Sequence, residues 1–291
     1  MLGCNIYLSE GRNKALISSI QGKFTASASV ALVHCFQDTH YNRTGFTLVG
    51  TAAEPLASAA VQLSKAALSL LDLRQHTATH PRLGVVDHIV CNPLGTQAEL
   101  SSAAEAAQKI GQSLGQGEHA VPVLLYGAAH AAGQTLASIR RASGYFKGSG
   151  TGLYGGASFI KLPESLVPDY GPASLDPRHG FAAVGAVPWV VNYNVLLRTQ
   201  DMQACRSIAK AVSTRGGGLP AVEAMGLQHE EGIEVACNLL DISTTAPEAV
   251  LEAIKAHAKR HGISVGAAYT TNHTPEALCK LAAEQMAVAA A

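Results

Sequence analysis

Residues 144–180 read GYFKGSGTGLYGGASFIKLPESLVPDYGPASLDPRHG. The stretch is rich in glycine and proline and holds no sustained period, whereas the chain on either side alternates strand and helix patterns. A connection this long without elements of its own marks a boundary or a long functional loop. Before it, residues 4–8 read as a strand, 13–23 as a helix, 28–36 and 44–49 as strands. Residues 54–73 carry Leu56, Ala60, Leu63, Ala67 and Leu70 at helical spacing, and 85–90 form a further strand. Helices are expected at 98–114 and 134–142, with the short apolar run 121–126 between them as a central strand. After the connection, 181–197 is one long apolar stretch broken by Asn192 and Asn194, followed by a helix over 202–213. Residues 222–227 and 233–240 flank His229-Glu230-Glu231 as a hairpin, and helix 247–261, strand 263–269 and helix 275–288 complete the chain. Each half thus reads roughly β-α-β-β-α-β. The expectation is an α/β (α+β) chain of two ferredoxin-like subdomains, each a sheet covered by helices. The division is expected at 1–178 and 179–291.

Composition narrows the function classes. The 291 residues are 47% hydrophobic, enough for a sizeable core, and only 14% charged, against roughly 25% in an ordinary domain. Twenty-one basic and 21 acidic residues cancel to zero. Nucleic acid is therefore not the expected partner, because neutralising phosphates needs clustered Lys and Arg. A membrane is not expected either, since no apolar run reaches the roughly 20 residues that span a bilayer. With little self-repulsion the chain is expected to associate with a copy of itself, as a homodimer. None of Cys4, Cys35, Cys91, Cys205, Cys237 and Cys279 lies within ten residues of another, so they read as buried free thiols in a reducing compartment. No leader pattern precedes strand 4–8, which points to the cytoplasm, or to an organelle if a leader is missing from this chain.

Several motifs have weak chemical readings. Gly150-x-Gly152-x-x-Gly155 has the letters of a dinucleotide fingerprint but neither the strand before it nor the helix after it, so a loop is expected. The triplet Gly216-Gly217-Gly218 lacks a following Lys-Ser/Thr and reads as a connection. His76 and His80 are spaced like metal ligands on a helix, yet Pro81 disfavours helical geometry at His80 and no metal is expected. More informative is His80-Pro81-Arg82-Leu83-Gly84-Val85-Val86-Asp87, a polar loop feeding directly into a strand. Loops at strand ends bring imidazole, guanidinium and carboxylate onto one ligand, and an imidazole titrates near neutrality. Asp38-Thr39-His40-Tyr41-Asn42-Arg43-Thr44 and Asn192-Tyr193-Asn194 are also dense in polar groups beside strands. They read either as buried structural networks or as hydrogen-bonding partners of a polar heterocycle.

Taken in order, Ser9-Glu10-Gly11-Arg12-Asn13, Asn42-Arg43-Thr44, His80-Pro81-Arg82-Leu83-Gly84, Pro122-Val123-Leu124-Leu125-Tyr126-Gly127 and Pro168-Asp169-Tyr170-Gly171-Pro172 resemble the glutamate formiminotransferases. That family forms the N-terminal part of formiminotransferase-cyclodeaminase and also exists as single proteins. Asn192-x-Asn194 and Asn238-Leu239-Leu240-Asp241 continue the resemblance over nearly the whole chain, while nothing resembles the cyclodeaminase part. The resemblance implies two ferredoxin-like subdomains with a folate in the groove between them. It implies transfer of a formimino (or formyl) group between glutamate and N5 of tetrahydrofolate, a step of histidine catabolism, with tetrahydrofolate as co-substrate and no metal. His80 matches the catalytic histidine, as general base. Gly171, Pro172, Ala173, Ser174, Leu175, Asp176, Pro177, Arg178, His179 and Gly180 match the folate-contacting segment. Asn42, Arg43, Arg82, Gly84, Asn192 and Asn194 are implied to bind substrate. The chain departs from the family in four places: Ile6-Tyr7 replaces Pro-Asn, Phe36 replaces an acidic residue, His179 replaces an aromatic one, and Arg215-Gly216-Gly217-Gly218 is a shortened basic loop. Asp38, two residues from Phe36, is the expected substitute carboxylate for His80. Two other readings stay open: a folate-binding protein without this catalysis, and a scaffold subunit that kept the fold.

Overall fold

The computed structural model describes residues 1–95, 99–145, 154–155, 162–229 and 232–290. Two compact units divide the chain: Met1–Val187 with Pro275–Ala291, and Pro188–Thr274.

The first unit is organised by β1 (Leu2–Leu8), whose alternation sends Leu2, Cys4, Ile6 and Leu8 into one core. On one side β1 pairs antiparallel with β3 (Arg43–Gly50), and on the other with β5 (Val86–Pro93). With α1 (Lys14–Gln21), β2 (Val30–Asp38) and α2 (Ala53–Leu70), these make the expected β-α-β-β-α-β plan in the order β2-β3-β1-β5. The sheet then grows to six strands. After β5, α3 (Leu100–Leu114) leads to β6 (Val123–Gly127), and β8 (Ala182–Ala186) lies between β5 and β6, parallel to both. Two-residue strands β4 (Thr77–Ala78) and β7 (Tyr154–Gly155) pair with each other, and α4 (Leu136–Ala142) follows β6. Much of the chain's apolar content is alanine: Ala57, Ala60 and Ala67 of α2 and Ala103, Ala106 and Ala107 of α3 are buried in the same core as β1. Small side chains let helices lie close against a sheet.

The second unit repeats the plan without additions. It contains β9 (Val191–Leu197), α5 (Met202–Val212), β10 (Val222–His229), β11 (Gly232–Leu239), α6 (Pro247–Arg260) and β12 (Val265–Thr270). Its strands run in the order β10-β11-β9-β12, all antiparallel, which is the same ferredoxin-like order as in the first unit. Val195, Leu197, Val235 and Cys237 face Ile208, Val212, Val250 and Ile254 of the helices in one core.

Two elements differ from their sequence reading. The apolar stretch 181–197 is two strands in two sheets, β8 and β9, parted at Val187-Pro188. Proline lacks the N–H that a continuous ladder would need. The last helix, α7 (Pro275–Ala290), packs on β2 and β3 of the first unit, burying Leu278, Ala282 and Met286 at four-residue spacing. The first unit also runs past residue 178, because Arg178 O accepts from Leu73 N and β8 belongs to its sheet. Gly150 and Gly152 of the glycine fingerprint and Glu230-Glu231 of the expected hairpin turn lie outside the described residues, while β10 and β11 do pair in hairpin register. All six cysteines are free, with Cys4, Cys91, Cys205 and Cys237 buried and Cys35 and Cys279 half-buried. Among the described residues no helix is long and apolar enough to cross a membrane.

Candidate active site

The motifs of the first unit meet where β1 ends and β3 and β5 begin. Ser9 Oγ donates to Gly84 O at 2.6 Å, and Ser9 N donates to Val85 O at 2.9 Å. Asn42, in the left-handed region at φ +49, turns the chain between β2 and β3. Its Oδ1 accepts from Gly11 N at 2.8 Å, and its Nδ2 donates to Thr77 O at 3.2 Å and lies 3.3 Å from His76 Nδ1. Thr44 Oγ1 donates to Glu10 O at 2.6 Å. Ser-Glu-Gly, Asn-Arg-Thr and His-Pro-Arg-Leu-Gly are therefore one locked assembly. Asn42 and Gly84 act within it as frame, and Arg43, His80 and Arg82 are carried on the same assembly.

Gly84 shows how tight the frame is. Val85 N donates to His179 O at 2.8 Å, and Phe181 N to Leu83 O at 3.2 Å. A Cβ on Gly84 would sit 2.5 Å from Phe181 O and 2.8 Å from His179 O, both backbone atoms that cannot swing aside. Gly84→Ala is expected to cost about 2 kcal/mol or more through overpacking, read as a lower midpoint in thermal unfolding.

His80 lies inside this frame at 7% exposure. The edges of Tyr41 and Tyr145 flank its ring at 5.7 and 6.1 Å between centroids. Nδ1 is 2.9 Å from Pro81 O, 2.7 Å from Arg82 Nη1, 3.2 Å from Arg43 Nη2 and 3.4 Å from the Tyr145 hydroxyl. Burial, then the Arg43 and Arg82 charges, push the imidazole well below its ordinary pKa, so it is neutral at pH 7. Arg82, itself buried, donates through Nη2 to Tyr41 O and through Nη1 to Pro81 O at 2.8 Å. Burial and the neighbouring Arg43 bring its pKa down to about 9.

The carboxylate that shares these cations is Asp87. It is fully buried, and Oδ1 accepts from Leu83 N at 2.7 Å. Oδ2 is 3.3 Å from His88 Nδ1, 3.7 Å from Arg43 Nη2 and 3.8 Å from Arg140 Nη2 of α4. Burial alone would raise its pKa, but the His88 hydrogen bond and the Arg82 and Arg140 charges outweigh it and hold the carboxyl well below the usual range. His88 stacks on Tyr7, its cross-strand neighbour, at 4.3 Å and 13°. Arg43 Cζ lies 5.4 Å over the same Tyr7 ring. The position that departs from the family pattern is thus built into the site as an aromatic floor.

Asp38 is placed at the end of β2, where its Oδ1 accepts from Tyr41 N at 2.6 Å and closes the turn that carries Asn42 and Arg43. Segment 171–180 is tied down by its own residues. Asp176 accepts from Arg178 N at 2.9 Å and holds His179 Nδ1 at 2.8 Å. His179 Nε2 lies 3.0 Å from Leu68 O, so both ring nitrogens face protein oxygens. Arg178 Nη2 donates to Ser69 O at 3.2 Å, and Gly180 takes φ +70 where the segment bridges to Gly84. Ala173, Ser174 and Asp176 remain exposed. Asn192 and Asn194 belong to the second unit's own network. Asn192 Nδ2 donates to Asn238 Oδ1 at 2.8 Å and Asn194 Nδ2 to Glu234 Oε2 at 3.0 Å, while the Tyr269 hydroxyl donates to Glu234 Oε1. Among the described residues no three His, Cys, Asp or Glu side chains gather as a metal site needs, and His76 spends its Nδ1 on Asn42.

The neutral histidines carry a pH signature. Burial, more than the Arg82 charge, lowers His76 to about 3, and burial also lowers His88 to about 4. A depressed folded pKa gives stability that is complete above the unfolded value of about 6.5 and lost as pH falls through the folded value. Stability is therefore expected to decline from about pH 6.5 toward pH 4, by a few kcal/mol in total, and His88→Asn is expected to flatten that decline in urea midpoints measured across pH.

Fold and site define a two-unit α/β protein with a neutral, buried histidine among guanidiniums on a ferredoxin-like sheet. Residues 1–187 match the model of the formiminotransferase domain, N-terminal subdomain. The chain is 40% identical over 282 residues to the formiminotransferase cyclodeaminase-like protein of Arabidopsis thaliana, covering 95% of this chain and 94% of that one. It is 31% identical over 269 residues to the glutamate formimidoyltransferase of Streptococcus pyogenes serotype M1, covering 90% and 85%. It is 30% identical over 281 residues to the formimidoyltransferase-cyclodeaminase of Rattus norvegicus, covering 91% of this chain and 48% of that one. The chain belongs to the formiminotransferase family.

Proposed function

We propose that the protein moves a formimino group from N-formiminoglutamate to N5 of tetrahydrofolate, releasing glutamate, with His80 as general base. The observation that carries this reading is the buried imidazole of His80 held 2.7 Å from Arg82 Nη1 and 3.2 Å from Arg43 Nη2. N5 attacks the formimino carbon and a C–N bond forms. His80 takes the N5 proton, the bond to the glutamate nitrogen breaks, and that nitrogen receives a proton as glutamate leaves. The ring must present a lone pair for this. With Nδ1–H donating to Pro81 O, Nε2 is the basic nitrogen; with Nδ1 accepting from Arg82, Nε2 carries the proton instead. The first tautomer is the reactive one. Arg43 and Arg82 suit the carboxylates of glutamate and folate, because a guanidinium fork matches a carboxylate in two bonds. A formyl donor would use the same groups.

The test incubates the protein with N-formiminoglutamate and tetrahydrofolate and follows both products. Equal amounts of glutamate and 5-formiminotetrahydrofolate support the reading. Folate binding without glutamate release above a folate-free control overturns the catalysis and favours a binding protein.

A further inference from the structure

Among the described residues, the polar contacts of the Arg43 side chain all run through one nitrogen. Its Nη2 lies 3.2 Å from His80 Nδ1, 3.4 Å from His80 Nε2 and 3.7 Å from Asp87 Oδ2. Its Nε–H is buried with no hydrogen-bond partner among the described residues. Contacts at a single nitrogen leave a guanidinium plane free to turn about that point. A fork grips a carboxylate in two bonds only when its plane is fixed. The second restraint on Arg43 is aromatic. Its Cζ lies 5.4 Å over the Tyr7 ring, inside the ~6 Å reach of a cation–π contact. The ring is itself placed from both sides of β1. On the β5 side it stacks on His88, its cross-strand neighbour, at 4.3 Å and 13°. On the β3 side its cross-strand neighbour is Gly45, and a Cβ there would come within 3.3 Å of Tyr7 Cε1. Glycine thus leaves the ring its room on the strand that carries Arg43. Both the stack on His88 and the contact with Arg43 are made by the ring of Tyr7, not by its hydroxyl.

We propose that Tyr7 is a positioning residue, whose ring holds the Arg43 guanidinium beside His80 in the orientation that grips a substrate carboxylate. The inference rests on the proposed transfer for the carboxylate, and on His88, Tyr7 and Arg43 alone for the orientation. A cation–π contact of this kind favours one orientation of the side chain by about 3- to 30-fold.

The test compares Tyr7→Leu, which keeps apolar bulk without a π face, and Tyr7→Phe, which keeps the face, in the wild-type and Arg43→Gln backgrounds. In formimino transfer Tyr7→Leu is expected to lower kcat/KM by about 3- to 30-fold, and Tyr7→Phe to restore it to within about twofold of wild type. In the Arg43→Gln background the same Tyr7→Leu change is expected to cost less than about twofold more, because a residue that acts through another loses its effect when that partner is gone. Nitrogen NMR of the His80 ring reads the same contact without substrate. The Arg43 charge helps to hold that imidazole below its ordinary pKa, so Tyr7→Leu is expected to raise the His80 midpoint, and to leave it in place once Arg43 is Gln. Equal losses from Tyr7→Leu in both backgrounds overturn the role, as does a Tyr7→Phe that loses as much as Tyr7→Leu. If Tyr7→Leu does not fold, judged by its melting transition, Tyr7→Met takes its place, since a flexible thioether chain fills the space without a π face. A wild type that transfers no formimino group rejects the proposed reaction, and the His80 midpoint then decides for Tyr7. The role stands if Tyr7→Leu raises that midpoint only where Arg43 is present, and falls if the midpoint does not move.

Discussion

His80→Gln is expected to lower kcat for formimino transfer by about 100- to 10,000-fold, the range that a positioned general base contributes. The substitution keeps a polar acceptor beside Arg82 and Arg43, so it removes proton transfer without stranding two buried cations. Affinity for 5-formyltetrahydrofolate should stay within about threefold and the melting midpoint within a few degrees. The pH profile of the wild type gives the sign. His80 is held well below its ordinary value, so the basic form predominates at pH 7 and is lost only as pH falls through the depressed pKa. The acid limb of kcat/KM should therefore lie below about pH 6.5, the value of an unperturbed imidazole. A variant that turns over like the wild type would remove His80 from the chemistry.

Asp87→Asn is expected to have the largest effect on stability. The carboxylate is fully buried and lies within 4 Å of both Arg43 and Arg140. An amide at this position can still accept from Leu83 N but cancels no charge. Removing one partner from a buried ionic cluster costs about 3–5 kcal/mol. For a chain of this size that lowers the melting midpoint by roughly 10 °C. Because the carboxyl is held below its ordinary range, the stability it contributes is present above about pH 4 and disappears as pH falls below that value. Wild-type and variant midpoints should then differ at pH 7.5 and converge in acid. Midpoints within 2 °C of each other at pH 7.5, on the ~2–4 °C per kcal/mol scale of such chains, would show that the three guanidiniums do not depend on Asp87.

The legible parts of the molecule are those whose signal is local. Alternation in β1 and the Leu56, Leu63, Ala67 spacing of α2 declare their buried faces, and the doubled β-α-β-β-α-β order follows from a string of such elements. Residues 181–197 are equally apolar throughout, and hydrophobicity does not say which sheet a strand joins; only Pro188 hints at the division between β8 and β9. The buried stripe of α7 is readable as helical, but nothing in Leu278, Ala282 and Met286 names β2 and β3 as its partners. In the site, His80, Arg82 and Arg43 stand in short motifs. Arg140 and Tyr145 stand in none, because Tyr145 reaches His80, and Arg140 reaches Asp87, across more than 50 residues of intervening chain. Asp87 is visible as a neighbour of the motif, while its charge-balancing place depends on burial. Asp38 is expected to stand in for the acid that Phe36 replaces, two residues away, and in the structure its Oδ1 accepts from the Tyr41 amide. Tyr7 reads as a departure from family pattern; the structure gives it His88 and Arg43 as ring partners.

Nitrogen NMR of histidine-labelled protein observes the protonation state of His80 directly, with His80→Gln supplying the assignment. The expected result is a His80 ring that is still neutral at about pH 6.5, the ordinary imidazole midpoint, and titrates only below it. A His80 that titrates at or above about pH 6.5 would show that burial and the flanking guanidiniums do not hold the ring neutral, the opposite of the expected result.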